Sequence, residues 1–170
     1  MSNDLSKINS YSYEFEGGKN NSYIFKTDYE IRYEIKFVPS GYLWETAPFF
    51  KDYTFEFIVA ILENNTGKNP PLDKKIPKTI GLIFEDFFQN DKNIAIYICD
   101  SSDNKQAIRF RKFNDWFVSL KNRVYVKMDL QIPDEKEVYI YTSLIMRGDN
   151  PNLSSIMIEF KAITDSPTEK

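Results

Sequence analysis

The sequence predicts an α+β fold built on a mixed, mostly antiparallel sheet, with a β-α-β-α-β-β second half. Three observations carry this. Ile94–Cys99 is apolar throughout, the composition of a strand buried on both faces. Amphipathic helical patterns flank it at 76–89 and 107–117. The chain ahead of them alternates apolar and charged residues at period two, as half-exposed antiparallel strands do.

Taken in order, 1–10 and 165–170 read as flexible termini around one domain at 11–164. At 170 residues a single domain with a full core is the expectation. Tyr11–Phe15 alternates weakly, as an edge strand would, and Gly17-Gly18-Lys19-Asn20-Asn21 turns the chain. Ser22–Lys26 and Tyr29–Val38 form a hairpin around Thr27-Asp28. In the second strand Tyr29, Ile31, Tyr33, Ile35 and Phe37 share a face opposite Glu30, Arg32, Glu34 and Lys36. Gly41–Lys51 is an apolar loop with Trp44, Pro48, Phe49 and Phe50, expected to cap the core in preference to lining a pocket.

Asp52–Leu62 is a long strand, ended by Asn64–Pro71. Over 76–89, Ile76, Ile80, Ile83, Phe84, Phe87 and Phe88 fall at i, i+4, i+7, i+8, i+11 and i+12, a helical stripe with Pro77 in its first turn. Helix 107–117 presents Phe110, Phe113 and Phe117, continuing to Leu120. Val124–Leu130 and Glu137–Met146 are strands turning at Pro133-Asp134-Glu135, and Leu153–Ile163 is a closing helix. A helix between Asp52–Leu62 and Ile94–Cys99 implies a crossover joining parallel strands. The remaining hairpins are antiparallel, so the sheet is mixed.

Composition excludes several chemistries. There is no histidine, so no triad base, imidazole metal ligand or near-neutral switch of that kind. The single cysteine, Cys99, cannot form an internal disulfide, and inside an apolar run it reads as a small core residue. A net charge of -3 argues against a general polyanion binder. No apolar run approaches the roughly 20 residues of a membrane helix. Residues 1–12 lack the apolar region of a signal peptide. The expectation is a cytoplasmic protein with no membrane partner.

Two places carry candidate chemistry. The corner after Cys99 holds Asp100 and Asp103, followed by Arg109 and Arg111. Acidic residues at a strand end suit a metal-dependent phosphotransfer site. We weigh capping above that, because Asp103 with Gln106 has the spacing of a capping box. No metal site or catalytic residue is assigned. The second place is electrostatic. Between Asn104 and Lys127 lie Lys105, Arg109, Arg111, Lys112, Lys121, Arg123 and Lys127 against one acid, Asp115. Lys68, Lys74, Lys75 and Lys78 precede, at the start of the 76–89 helix, where free N–H groups and the dipole favour anions. The bland alternative is a solvated face balancing the acidic first half. Trp116, seven residues beyond Arg109, can either stack on a base or complete the core.

The run of strand, loop, helix, buried strand, helix and β-hairpin over Asp52–Met146 resembles the later half of the GCN5-related N-acetyltransferase fold. In that family the loop entering the first helix cradles the pyrophosphate of acetyl-CoA with the pattern Arg/Gln-x-x-Gly-x-Gly/Ala. The matching register here is Lys75-Ile-Pro77-Lys78-Thr79-Ile80. Both small residues that let backbone approach phosphate are replaced. Asn104-Lys-Gln-Ala107 resembles the family's Asn-x-x-Ala, and Arg111 stands where the family often has a tyrosine acid. The Cys-Asp-x-x-Asp corner with Phe-x-x-Trp-Phe is similar to an uncharacterised small bacterial protein family.

The resemblance implies an acetyltransferase-like architecture and acetyl-CoA as a cofactor. The replaced glycines point to a non-catalytic domain that binds an anionic small molecule or a protein. The alternatives are an N-acyltransferase with a divergent phosphate loop and a nucleic-acid-binding module. The candidate ligand-binding residues are Lys75, Lys78, Thr79, Asp100, Asn104, Arg109 and Arg111.

Overall fold

Ile94–Cys99 forms β5, the strand around which the sheet is laid out. In the computed structural model, which describes residues 9–44, 48–119, 124–133 and 138–163, its alternate side chains enter two different cores. Ala95 and Tyr97 face one, and Ile94 and Ile96 face the other. That is why no position on the strand tolerates a charge. Leu120, Lys121, Arg123, the turn residues Asp134 and Glu135, Glu137 and both termini fall outside the described residues.

Seven strands run in the spatial order β1-β2-β3-β4-β5-β7-β6. They are β1 Tyr13–Gly17, β2 Ser22–Lys26, β3 Arg32–Pro39, β4 Thr54–Glu63, β5, β6 Tyr125–Pro133 and β7 Tyr139–Arg147. Three α-helices lie among the described residues: α1 Lys75–Phe87, α2 Gln106–Ser119 and α3 Leu153–Ala162. The α+β class and the mostly antiparallel sheet are as expected. β4 and β5 are the parallel pair, joined through α1, and every other pairing is antiparallel.

Both helices that flank β5 in sequence cover one face. Ile80, Ile83, Phe84 and Phe87 of α1 and Phe113 of α2 close on Phe25, Tyr33, Ile35, Phe37 and Phe57. Phe37 and Phe87 stack with ring centroids 3.6 Å apart, and Phe57 meets Phe84 edge-on at 5.0 Å. Emptying such a site by Phe→Ala costs about 3–5 kcal/mol. Lys127 of β6 ties down the far end of α2, its ammonium 5.2 and 5.9 Å from the rings of Phe110 and Phe117. The other face is roofed over β5 and β7 by Ile156 and Phe160 of α3 with Trp44 and Phe50.

The structure departs from the expected elements in three places. Tyr29, Glu30 and Ile31 belong to the β2–β3 turn, not to a strand. Glu30 sits at φ 61 and hydrogen-bonds back to the carbonyl of Thr27, so Tyr29 is exposed while Ile31 stays buried. The apolar loop contains two short 3-10 helices, Gly41–Leu43 and Pro48–Tyr53, so Tyr53 precedes β4. They are drawn together by a buried polar knot. Trp44 Nε1 donates to Thr54 Oγ1 at 2.6 Å, and that hydroxyl donates to the carbonyl of Phe50 at 2.8 Å. Tyr11 lies ahead of β1 and is buried. No helix among the described residues is long and apolar enough to cross a membrane.

Candidate functional site

β4 and β5 pair over three rungs, Thr54–Ile94, Phe55–Ala95 and Glu56–Ile96, and then part. Beyond Glu56, β4 continues to Glu63 paired to β3 alone, and β5 continues to Cys99 paired to β7 alone. A fork therefore opens toward the C-terminal ends of the two parallel strands. Outside such carboxyl ends is where open α/β sheets bind ligands. The two groups of sequence candidates lie at this end of the sheet, on either side of the fork.

On one side, the first turn of α1 sits against the chain ahead of β1 and the β2–β3 turn. Tyr11 donates its backbone N–H to Thr79 Oγ1 at 2.8 Å and its hydroxyl to Asp73 Oδ2 at 2.6 Å. Thr79 has no exposed surface, and its hydroxyl donates to the Lys75 carbonyl. Asp73 Oδ1 accepts the N–H of Lys75 at 2.9 Å, a carboxylate seated on the positive end of the helix. The Lys75 ammonium is 2.6 Å from Asp28 and lies over the Tyr11 ring at 5.0 Å. The Lys75 ammonium holds the Asp28 carboxyl below its usual range, and burial followed by the bond to Asp73 pushes the Tyr11 hydroxyl up. The open phosphate mouth expected at Lys75–Thr79 is thus filled by the chain's own Tyr11 and Asp73. Of the three candidates there, Lys78 keeps an exposed side chain with no partner among the described residues.

Across the fork, the β5–α2 corner is closed by Arg109. Its guanidinium bonds both carboxylate oxygens of Asp103, at 2.8 and 2.7 Å, and the carbonyl of Asp100 at 2.9 Å. Asp100 also accepts from the backbone and hydroxyl of Ser102. These Ser102 bonds, and then Arg109, hold the Asp100 carboxyl low, while Arg109 is the largest influence lowering Asp103. Asn104 turns the corner at φ 57, a conformation asparagine accepts more readily than most residues.

The expected capping box does not form. Asp103 Oδ1 takes the N–H of Lys105, and Gln106 points inward. The reason is spacing. Gln106 stands four, seven and eleven residues ahead of Phe110, Phe113 and Phe117, on the buried stripe of α2, and cannot also reach back to the cap. Its Oε1 is buried without a partner, as is Asn114 Oδ1 of the same helix. Arg111 is exposed, and Trp116 packs on the core beneath Lys112.

The two candidate groups therefore share an end of the sheet but form no common pocket-like cluster. Among the described residues no hydrogen bond or ion pair joins one group to the other. No group of three or more potential metal-ligating side chains occurs among the described residues. Cys99 is fully buried, and burial is the largest influence raising its thiol. Sequence reasoning missed Glu56, the carboxylate at the last rung before the fork. Burial, and then nearby Asp100, pushes its carboxyl up. Along the chain it reads only as the polar side of a strand. Its meaning depends on where β4 and β5 separate, which no local pattern records.

Residues 72–162 match the model of a family described as a family of unknown function, DUF6169. The match runs from just ahead of α1 through α3, more than half of the chain. No curated protein and no solved structure matches.

Proposed function

The chain belongs to that family of unknown function, and from this premise we propose a non-catalytic, acetyltransferase-like domain that binds an anionic ligand at the forked end of its sheet. One observation carries the reading. The turn that would seat an acyl donor's pyrophosphate is filled by Tyr11 and Asp73, while neighbouring cations stay exposed. The strand order, with one parallel pair bridged by α1, supports the architectural half of the proposal. The exposed Lys78, Lys105 and Arg111 supply the electrostatic half.

Acetyl-CoA does not fit the first turn of α1. Pro77 lacks an N–H, the Lys75 N–H is committed to Asp73, and the half-buried Asp73 carboxylate repels phosphate. No step of transfer is therefore assigned to these residues.

The test is calorimetry at low salt with pyrophosphate, coenzyme A and acetyl-CoA, alongside an assay for acetyl transfer to a primary amine. The expected result is binding of at least one anion, weakened by added salt and by the pair Lys78→Ala and Arg111→Ala, with no transfer. Absence of heat with all three anions would retire the anion reading.

A second reading, an N-acyltransferase, is favoured by Glu56 alone. A half-buried carboxyl with a raised affinity for protons, at the fork, is the kind of group that accepts a proton from an amine. Transfer activity lost in Glu56→Gln would favour this second reading over the first.

A further inference from the structure

We propose that two copies of this chain join edge to edge along β6, antiparallel about Met128, so that one sheet runs through the dimer. β6 is the last strand of the sheet and pairs with β7 at every position from Tyr125 to Pro133 without a register shift. Its outer edge makes no backbone hydrogen bond to another described residue beyond those of the β6–β7 ladder. The opposite edge strand, β1, is protected: it is five residues long, bulged between Phe15 and Gly17, and carries Glu14 and Glu16. Natural sheets blunt their edges with such devices, and a long regular edge is a template for another strand. β6 has nine residues and no bulge, and its only such residues are Lys127, Asp129 and the terminal Pro133.

The side chains of β6 are complementary to themselves. Val126, Met128, Leu130 and Ile132 share one face, and all four are half-buried. Met128 and Leu130 already pack on the α3-side core. Lys127 and Asp129 share the other face. In an antiparallel pair about Met128, Val126 lies opposite Leu130 of the second copy and Lys127 lies opposite Asp129, each twice by symmetry. Apolar meets apolar on one face and positive meets negative on the other. Moving the axis one residue either way sets Lys127 or Asp129 against itself, and like charges directly opposite are destabilising. The charge pattern therefore selects both the partner and the register. Asp129 retains 43% side-chain exposure while paired to Lys127 in its own chain, so it is reachable from a second copy; Lys127, 10% exposed beside the Phe110 and Phe117 rings, must turn outward to meet it.

Light scattering on a sizing column at micromolar concentration tests this directly. The expected mass is twice the 20.0 kDa of one chain. A single-chain mass across the micromolar range would overturn the proposal. Met128→Asp and Met128→Lys each put like charges on the axis, so either variant alone is expected to lose the two-chain species. An equal mixture is expected to regain it, because Asp then faces Lys. A dimer that survives in either variant alone, or a mixture that stays single-chain, contradicts the proposed register. Circular dichroism checks that both variants are folded. If either is not, hydrogen exchange on the natural chain decides: protection of β6 amides that rises with protein concentration supports the dimer, and protection independent of concentration overturns it.

Discussion

Tyr11 donates its backbone N–H to the hydroxyl of Thr79 at 2.8 Å, across a separation of 68 residues. The bond is buried, and it fastens the chain ahead of β1 to the first turn of α1. Thr79→Val keeps the shape and removes the acceptor, leaving a buried N–H unsatisfied. The expected cost is about 1–3 kcal/mol. Urea unfolding is the measurement, and a midpoint equal to that of the natural chain would show that the bond contributes nothing.

Phe57 sits where the two long helices meet the sheet, touching the rings of Phe37, Phe84, Tyr97 and Phe113. Phe57→Ala is expected to remove about 3–5 kcal/mol, a large share of the 5–15 kcal/mol that domains of this kind possess. Calorimetric melting should show a lowered, broadened or absent transition at 25 °C and above.

Gly41 holds the first 3-10 turn against the second. A Cβ built on it would lie 2.6 Å from the carbonyl oxygen of Lys51. The obstacle is backbone, so it cannot swing aside. Gly41→Ala is expected to destabilise by about 1–3 kcal/mol through overpacking. The effect should be read from the thermal midpoint together with near-ultraviolet dichroism of Trp44, which the same loop carries.

Acid sensitivity should trace partly to Arg109. It lowers Asp103, so the folded carboxyl releases its proton at lower pH than the unfolded one. The stabilisation is complete above the unfolded value of about 3.9 and fades as pH falls through the folded value. Arg109→Gln returns Asp103 toward its unfolded behaviour. The variant should lose less stability between pH 5 and pH 3, by roughly the same pH window, than the natural chain does. Parallel urea titrations would reveal it, and identical slopes would exclude the role.

Glu56 has the opposite sign. Its folded carboxyl holds its proton to higher pH than the unfolded one, so ionisation costs stability as pH rises through the unfolded value. Glu56→Gln removes that cost. The variant should be slightly more stable than the natural chain at neutral pH and equal to it at low pH. A loss at neutral pH would mean that the charge has a partner at the fork.

Local pattern made the architecture legible because the strongest signals were those that burial enforces. A strand without charge, Ile94–Cys99, has to be central, and the Ile76–Phe88 stripe has to lie on a sheet. Both do. The site was far less legible. Asp103 and Gln106 have the spacing of a cap, but Gln106 also has the spacing of the α2 stripe, and burial of that stripe decided between them. Lys75, Lys78 and Thr79 read as an anion seat because Asp73, the one acid close by in sequence, stands against several lysines. What cancels two of them comes from Tyr11 and Asp28, brought in by the folding of β1 and β2. Register between distant strands carries that information, and a linear reading does not contain it.

The kinship recorded over 72–162 stops short of what α1 needs beneath it. Phe84 and Phe87 rest on Phe57 and Phe37, which belong to β4 and β3. A fragment cut at the edge of the shared region would bare the underside of its own first helix to water. In this chain the matched stretch is thus not a unit that stands by itself, because the floor beneath its first helix is laid by β3 and β4.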